Sequence, residues 1–190
     1  MTKEKIKYYT DKLLKISFAK AVEKTLSFSW LDTKLGPMLA IADNKSLYLL
    51  EFPEKKNLDK EISRLQNSFN IQEGKTDPII LIEKELNKYF NGDLKEFKTP
   101  LVLFGTPFQK SVWKELIKIP YGQTISYLQL AKEVKNPKGF RAAANANGKN
   151  QLSIIIPCHR VINTNGKLGG YGGGIENKQW LLKHENQDWK

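Results

Sequence analysis

The stretch LSIIIPCHRV, residues 152 to 161, decides the fold around the one cysteine of this chain. Its apolar start, residues 152 to 156, predicts a buried strand. The proline that follows fixes φ and lacks an amide donor, so the strand should end there. Cys158 would then lie where the strand emerges, and His159 and Arg160 place two potentially positive groups beside the thiol, which favours the nucleophilic thiolate. The alternative role of a lone cysteine after an apolar run is that of a small buried side chain.

A glycine-rich loop, GKLGGYGGG at residues 166 to 174, follows the cysteine. Because glycine has no side chain, the backbone amides of this loop could approach a ligand closely. Simple flexibility of the loop is the alternative. The loop does not match a phosphate-binding fingerprint, since no Walker-type lysine and hydroxyl follow it.

Upstream of the cysteine the sequence predicts three helices. Thr106 and the proline after it open the first helix. Ser126 caps the second, and the third starts at Asn136 and runs to about Ala146. Because only a short turn separates the second helix from the third, these two form a candidate helix-turn-helix.

The third helix, KGFRAAANAN at residues 138 to 147, carries mostly small side chains, with Arg141 as the long charged one inside its alanine run. Small side chains let a backbone approach DNA closely, whereas reading several bases takes Arg, Asn and Gln at several exposed positions. We therefore expect DNA binding with little sequence specificity. Tight packing of an alanine-rich helix against its neighbour is the alternative.

The first part of the chain, residues 1 to 92, predicts a small α/β domain. An N-terminal helix follows from the helical spacing of four apolar residues behind Thr2, namely Ile6, Tyr9, Leu13 and Ile16. Three β-like runs predict an antiparallel meander, at residues 26–30, 37–42 and 46–52. Two further helices should follow, one over about residues 58–69 and one from residue 77 to about residue 90.

The whole chain of 190 residues is long enough for one large domain or two small ones. Residues 93 to 104 are the predicted linker, and residues 105 to 190 are the predicted C-terminal domain. The predicted fold class is therefore α/β of the α+β kind. A small antiparallel-sheet domain with helices precedes a mostly helical domain that contains the helix-turn-helix and Cys158.

Positive charge is concentrated in the second half of the chain. Residues 1 to 97 hold 17 basic and 15 acidic side chains, whereas residues 98 to 190 hold 14 and 5, so +9 of the net charge of +11 lies after residue 97. Clustered Lys and Arg suit a polyanionic partner, and a merely solubilising composition is the alternative.

Composition also narrows the setting in which the protein works. A single cysteine excludes an intramolecular disulfide framework and a multi-cysteine zinc site, and it fits a reducing compartment. No apolar stretch approaches the roughly 20 residues that span a bilayer, and the lysine-rich start lacks the apolar core of a signal peptide. We expect a cytoplasmic protein that does not bind membranes.

These motifs together resemble the O6-alkylguanine DNA alkyltransferases, also called methylated-DNA protein-cysteine methyltransferases. The resemblance rests on IPCHRV and on further motifs in matching order and spacing: GTPFQKSVW at 105–113, YGQTISYLQLA at 121–131, NPKGFRAAANANGKN at 136–150, GGYGGG at 169–174 and KQWLLKHE at 178–185. The first hundred residues resemble the family's variable N-terminal domain only in size and layout.

The resemblance implies a set of catalytic roles. Cys158 would accept the alkyl group, and His159 would take the thiol proton through a bound water. Glu185 would orient and charge-balance that histidine. Asn150 would brace the turn around the site, and Tyr127 would contact the flipped guanine and help to protonate it as it leaves.

The resemblance also implies a base pocket and a DNA surface. The carbonyls of Cys158 and Val161 would receive the guanine amino group, and Tyr171 and the amide of Gly172 would line the opposite edge. Arg141 would enter the base stack while the helix-turn-helix lies in the minor groove. The implied DNA-contacting residues are Tyr127, Arg141, Ala142, Ala143, Asn147, Gly148 and Lys149.

The implied partner is double-stranded DNA that contains O6-alkylguanine, bound by a monomer that acts once and requires no cofactor. Some family members bind zinc in the N-terminal domain through Cys and His, but here the cysteine and both histidines lie in the second half, so we predict no metal. Some members carry a serine where this chain has Gly172, which bears on the range of alkyl groups accepted.

Three other functions compete with alkyl transfer. A non-catalytic alkyltransferase-like DNA-damage binder would have another residue in place of Cys158. A Cys-His hydrolase would need a direct dyad, and adjacent residues such as Cys158 and His159 seldom point at one another. A helix-turn-helix regulator would need more base-reading side chains than residues 138 to 147 offer.

Overall fold

The computed structural model describes residues 2–15 and 24–189. Its sheet has four strands in the order β3-β2-β1-β4, with bounds β1 Thr25–Leu31, β2 Met38–Ala42, β3 Leu47–Glu51 and β4 Asn70–Glu73. The first three strands form the predicted antiparallel meander. β4 pairs parallel to β1 and was not predicted, because three of its four residues NIQE are polar and exposed and show no apolar alternation.

Among the described residues, the helices that accompany this sheet are α1 Thr2–Leu14, α2 Leu58–Gln66 and α3 Asp77–Asn91. Tyr9 and Leu13 bury the apolar face of α1, as their spacing predicts, whereas the predicted Ile16 lies outside the described residues. α3 has a proline in its first turn and ends where Gly92 adopts a left-handed φ of 87°.

Four helices and a small parallel bridge make up the second half. The helices are α4 Pro107–Ile117, α5 Tyr127–Glu133, α6 Phe140–Gly148 and α7 Ile175–Glu185, and the bridge joins β5 Ile125–Ser126 to β6 Val161–Ile162. Thr106 and Ser126 cap α4 and α5 as predicted, each accepting an amide three residues on. α6 begins later than predicted, because Lys135 has a φ of 56° and a turn closes from the Gly139 amide to the Asn136 carbonyl.

The predicted strand at residues 152 to 156 is wrong. Leu152 forms a single bridge with Leu50, after which the chain turns instead of continuing a ladder. The Ile156 amide bonds the Leu152 carbonyl at 2.9 Å, and Ile154 has a φ of 73°, which is rare for a β-branched residue and marks local strain. Cys158 therefore opens a short 3-10 turn, Cys158–Arg160, inside the protein.

The outer edge of β3 joins the two halves of the chain. Leu47 exchanges backbone hydrogen bonds of 2.8 and 2.9 Å with the segment around residues 100–102, and Leu50 exchanges two of 2.9 Å with residues 151 and 153. These contacts satisfy edge groups that would otherwise be open to another strand. The segment that leads to Cys158 is thus fixed to the sheet.

One apolar core runs through both halves. Met38 from the sheet and Ile82 from α3 belong to the same buried cluster as Trp113 from α4 and Leu152 before the cysteine. The fold is mixed α/β, as predicted, while the division at residues 93 to 104 stays a prediction. Within the residues that the structure describes, no helix is long and apolar enough to cross a membrane.

Replacing Ile82 by alanine should destabilise the protein by about 2–5 kcal/mol, because the side chain is fully buried and its loss leaves a cavity. Ile80→Ala is the matched control on the same helix, where Ile80 is 37% exposed and should cost less than about 1 kcal/mol. Urea unfolding at pH 7 measures both. Equal losses would contradict the placement of α3 against the shared core.

Candidate active site

Asn150 holds the turn that carries the cysteine. Its Oδ1 accepts the Leu152 amide at 3.0 Å, and its Nδ2 donates to the Ile156 carbonyl at 2.9 Å and to Cys158 Sγ at 3.1 Å. One buried side chain therefore connects the beginning of the turn, its end and the sulfur. Such a network fixes the position of the thiol because each of its groups is satisfied in one arrangement.

The Cys158 thiol is buried, with 5% of the residue exposed. Burial raises the pKa of the thiol to about 11, although the hydrogen bond from Asn150 opposes that shift. The expectation that His159 and Arg160 activate the thiol as neighbouring cations is wrong. Both side chains point to Glu185 instead, and burial decides the protonation of the resting thiol.

A buried carboxylate organises the other side of the site. Glu185 Oε1 accepts from Tyr89 at 2.7 Å and from His159 Nε2 at 2.8 Å, and its Oε2 accepts from Arg160 Nε at 2.8 Å and from the Gly122 amide at 3.2 Å. Burial opposes the charge, but the hydrogen bonds and charges of His159 and Arg160 hold the pKa of Glu185 well below its usual range.

His159 is completely buried and neutral, because desolvation lowers the pKa of its imidazole more than Glu185 raises it. An ionised carboxylate only accepts hydrogen bonds, so we assign the ring proton to Nε2. Nδ1 then carries the lone pair, and it has no hydrogen-bond partner among the described residues. The arrangement leaves one buried base with a free acceptor atom next to Cys158.

A pocket of about 730 Å³ opens onto the thiol. Most of the residues predicted for the site line it, namely Cys158, Tyr127, Tyr171, Gly172, Asn150, Asn147, Gly148 and Arg141. His159 and Glu185 lie behind this wall. Ala142 and Lys149 are exposed on the protein surface without lining the pocket. The volume is typical of a site for a single small molecule or one base.

Two predicted residues have buried side chains that do not line the pocket. Ala143 is fully buried against the core and so cannot belong to a DNA-contacting surface. Val161 is also fully buried and does not line the pocket, although its carbonyl accepts Lys178 Nζ at 2.6 Å. Asn147 is buried too, but it faces the pocket and donates to the Cys158 carbonyl at 3.4 Å.

Lys178 is the main residue of the site that was not predicted from the sequence. Its side chain is fully buried, its Nζ lies 5.8 Å from the centre of the Tyr127 ring, and burial lowers the pKa of the ammonium group to about 8. The signal was in the sequence, because Lys178 shares a face of α7 at spacings of three, four and seven with the buried residues Leu181, Leu182 and Glu185.

Side chains from the first half also reach the pocket, which no pattern predicted. Glu51 and Lys55 line one wall. On the rim, Phe140 is 46% exposed and lies beside Arg141, whose guanidinium is 5.7 Å from the centre of the Phe140 ring. In residues 2–15 and 24–189, no group of three or more His, Cys, Asp or Glu side chains is placed to hold a metal ion.

Two protein-family models match this chain. A family model described as 6-O-methylguanine DNA methyltransferase, DNA binding domain, matches residues 107–187. A second model, for the ribonuclease-like domain of the same methyltransferase, matches residues 26–103. The two matches together cover most of the chain.

Individual relatives agree with the family models. A methylated-DNA–protein-cysteine methyltransferase of Methanosarcina acetivorans is 41% identical over 155 residues, which is 81% of this chain and 94% of that protein. A Mycobacterium tuberculosis protein solved in complex with DNA superposes with a TM-score of 0.73 at 36% identity, over 86% of this chain and 93% of that one. The O6-methylguanine-DNA methyltransferase of Pyrococcus kodakaraensis gives 0.62 at 26% identity, over 85% and 99%.

Glu185→Gln should cost about 3–5 kcal/mol at pH 7, because it leaves Arg160 buried without a counter-charge. The pKa of Glu185 is lower in the folded protein than in the unfolded chain, where it is about 4.3. Ionised Glu185 therefore stabilises the folded protein fully above that pH, and this stabilisation is lost as the pH falls through the lower folded pKa. The variant lacks this group, so it should lose less stability in acid. Urea unfolding across pH 3 to 7 measures this.

Glu115→Gln is the control for this prediction, because Glu115 pairs with an exposed Lys118 at 2.7 Å and its loss should cost less than about 1 kcal/mol. An unchanged acid dependence in Glu185→Gln would contradict an ionised Glu185.

Proposed function

Because the chain belongs to the methylated-DNA–protein-cysteine methyltransferase family, it is a DNA-repair methyltransferase, and we propose that Cys158 is its nucleophile. The substrate is O6-alkylguanine in duplex DNA. The observation that carries this assignment is the single thiol at a pocket of about 730 Å³, bonded by Asn150 and backed by the His159–Glu185 pair.

Transfer of the alkyl group is an in-line displacement at an sp3 carbon. A bond forms from Sγ to the alkyl carbon while the bond from that carbon to O6 breaks, and its electron pair stays on the guanine oxygen. A soft thiolate suits this reaction, which needs no oxyanion hole. The product is a thioether with no internal route back to the thiol, so each molecule acts once and no cofactor takes part.

The thiol needs a base, since a pKa of about 11 leaves little thiolate at neutral pH. His159 supplies it through its free Nδ1, which takes the Sγ proton by way of a bound water. Glu185 keeps the other ring nitrogen protonated and balances the imidazolium that forms. The thiol therefore loses its proton to His159 as the alkyl group is transferred.

The leaving base needs a proton. Burial and the neighbouring Cys158 raise the pKa of Tyr127, so its hydroxyl remains a donor at neutral pH. Tyr171 and the Gly172 amide line the opposite edge of the base. The carbonyl of Cys158 receives the guanine amino group. The carbonyl of Val161, which does not line the pocket and already accepts Lys178, keeps a second lone pair for the same group.

Helix α6 presents the DNA-contacting surface at the mouth of the pocket. Arg141, Ala142, Gly148 and Lys149 are exposed there, and the small side chains let the helix approach the minor groove. Because O6 lies inside the duplex, the base must be flipped out at a cost of a few kcal/mol, which Arg141 offsets by entering the stack.

A monomer suffices for this reaction, since one chain carries the nucleophile, the base and the DNA surface. The cytoplasm is the proposed location, because the free thiol must stay reduced. The alternative of a non-catalytic damage binder is disfavoured by the cysteine at position 158.

Incubation with an oligonucleotide that contains O6-methylguanine should add the mass of one methylene to the intact protein, with one equivalent transferred per chain. Cys158→Ser should abolish the adduct while binding to the DNA persists. Intact-protein mass spectrometry and a gel-shift assay measure the two properties. Repeated turnover, or an adduct on the serine variant, would contradict the mechanism.

Arg141→Ala should slow repair in duplex DNA by about tenfold or more, because the cost of flipping is no longer offset, but it should leave alkyl transfer from free O6-benzylguanine within about twofold. Lys114→Ala removes an exposed charge on α4 away from the pocket and serves as the control. Single-turnover rates on both substrates decide the matter. Equal losses on duplex and free base would rule out a flipping role for Arg141.

A further inference from the structure

A buried charge cluster from the first half of the chain forms one wall of the pocket. Lys55 follows β3 and is 4% exposed. Its Nζ lies 2.6 Å from Glu51 Oε1 and 3.1 Å from Glu61 Oε1. Neither carboxylate takes part in the proposed chemistry, and a buried ammonium is costly unless a specific arrangement satisfies it.

The third partner of Lys55 is the active-site turn. Lys55 Nζ also donates to the backbone carbonyl of Asn150, the residue whose side chain bonds Cys158 Sγ at 3.1 Å. Glu51 contacts the same turn, since its Oε2 accepts the Ser153 hydroxyl at 2.8 Å. Lys55 and Glu51 thus bind the active-site turn at two points, the Asn150 carbonyl and the Ser153 hydroxyl.

The aliphatic part of the Lys55 side chain also contacts the glycine-rich loop, which lines the pocket opposite the turn. A Cβ at position 172 would approach Lys55 Cγ to 3.4 Å, so the aliphatic chain lies against the loop that carries Gly172. Lys55 therefore contacts both segments between which a base would sit.

From these contacts we infer that Lys55 is a positioning residue for the nucleophile, acting through Asn150. By fixing the Asn150 carbonyl it keeps Nδ2 aimed at Sγ, where the hydrogen bond stabilises the thiolate. This inference rests on Cys158 being the nucleophile, and it gives the first half of the chain a part in the chemistry.

Electrostatics acts in the same direction as the geometry. Glu51 and Glu61 raise the pKa of Lys55 although burial lowers it, so the ammonium stays charged. That charge lowers the pKa of the Cys158 thiol, whereas the carboxylate of Glu51 raises it by more, so removing Lys55 would leave the effect of Glu51 without its counter-charge. The titratable groups that face the sulfur are Lys55 and Glu51 from the first half, Lys178 from α7, Tyr127 from α5 and Tyr171 from the glycine-rich loop.

The test is the rate at which iodoacetamide alkylates the thiol, followed by intact mass at pH 8. Cys158 is the only cysteine, so the signal has one source. Lys55→Met keeps the length of the stem but removes the charge and the donor, and it should slow alkylation by about tenfold, because a smaller fraction of the thiol is ionised at pH 8. Lys60→Met, which removes an exposed charge on α2, should react like the unsubstituted protein.

The direction of the change separates positioning from support of the fold. A loosened but folded site would expose the thiol and speed its alkylation, so an unchanged or faster rate in folded Lys55→Met overturns the inference. Lys55→Gln, which retains a donor without the charge, should give an intermediate rate and is decisive if the methionine variant does not fold. If neither variant folds, Lys55 supports the fold itself and the inference is wrong.

This measurement does not depend on the substrate. Iodoacetamide reports on the sulfur without DNA, so a protein inactive on O6-methylguanine could still show the effect of Lys55. Failure of the inference and failure of the proposed function are therefore separate results.

Discussion

The rest of the site depends on the hydrogen bonds that the buried carboxylate of Glu185 accepts. This carboxylate stands at the last turn of α7, where the helix dipole disfavours a negative charge. Donors from Tyr89 of α3, from the loop at Gly122 and from the turn after Cys158 compensate for this cost. Because an unpaired buried charge is so unfavourable, these elements must come together for the carboxylate to be accommodated.

The same burial gives the resting protein an unreactive sulfur. The thiol has a pKa of about 11 and the imidazole next to it is neutral. Neither group is therefore charged before a substrate binds. Thiolates are the species that oxidants and electrophiles attack. Burial thus protects the thiol of Cys158 from side reactions before a substrate binds.

Patterns of local sequence predicted the elements well and the site in part. The meander, the caps at Thr106 and Ser126 and the helix around Leu13 follow from periodicity and capping chemistry, which act over a few residues. The run at residues 152 to 156 failed because a short apolar segment has the same composition in a strand and in a buried turn. Its conformation is set by Asn150, whose side-chain bonds no periodicity reveals.

Contacts between distant residues account for the remaining differences. Lys55 and Glu51 reach the pocket only because β3 pairs with the segment before Cys158, and the sequence of either half alone contains no sign of that pairing. The motifs after Gly105 predicted roles for Cys158, His159, Asn150 and Tyr127 through resemblance to a family, and those roles stay predictions. They could not show that Ala143 is buried, since an alanine suits a helix interior and a DNA surface equally.

The covered edge of β3 bears on the order in which parts of the chain fold during synthesis. Glu51 and Ser153 are 102 positions apart, and closing so long a loop carries an entropic cost before any contact is gained. The sheet can assemble from nearby segments soon after they leave the ribosome, but its edge stays open until the second half arrives. The turn that carries Cys158 is therefore among the last parts to form, so a truncated product would present an unpaired strand edge.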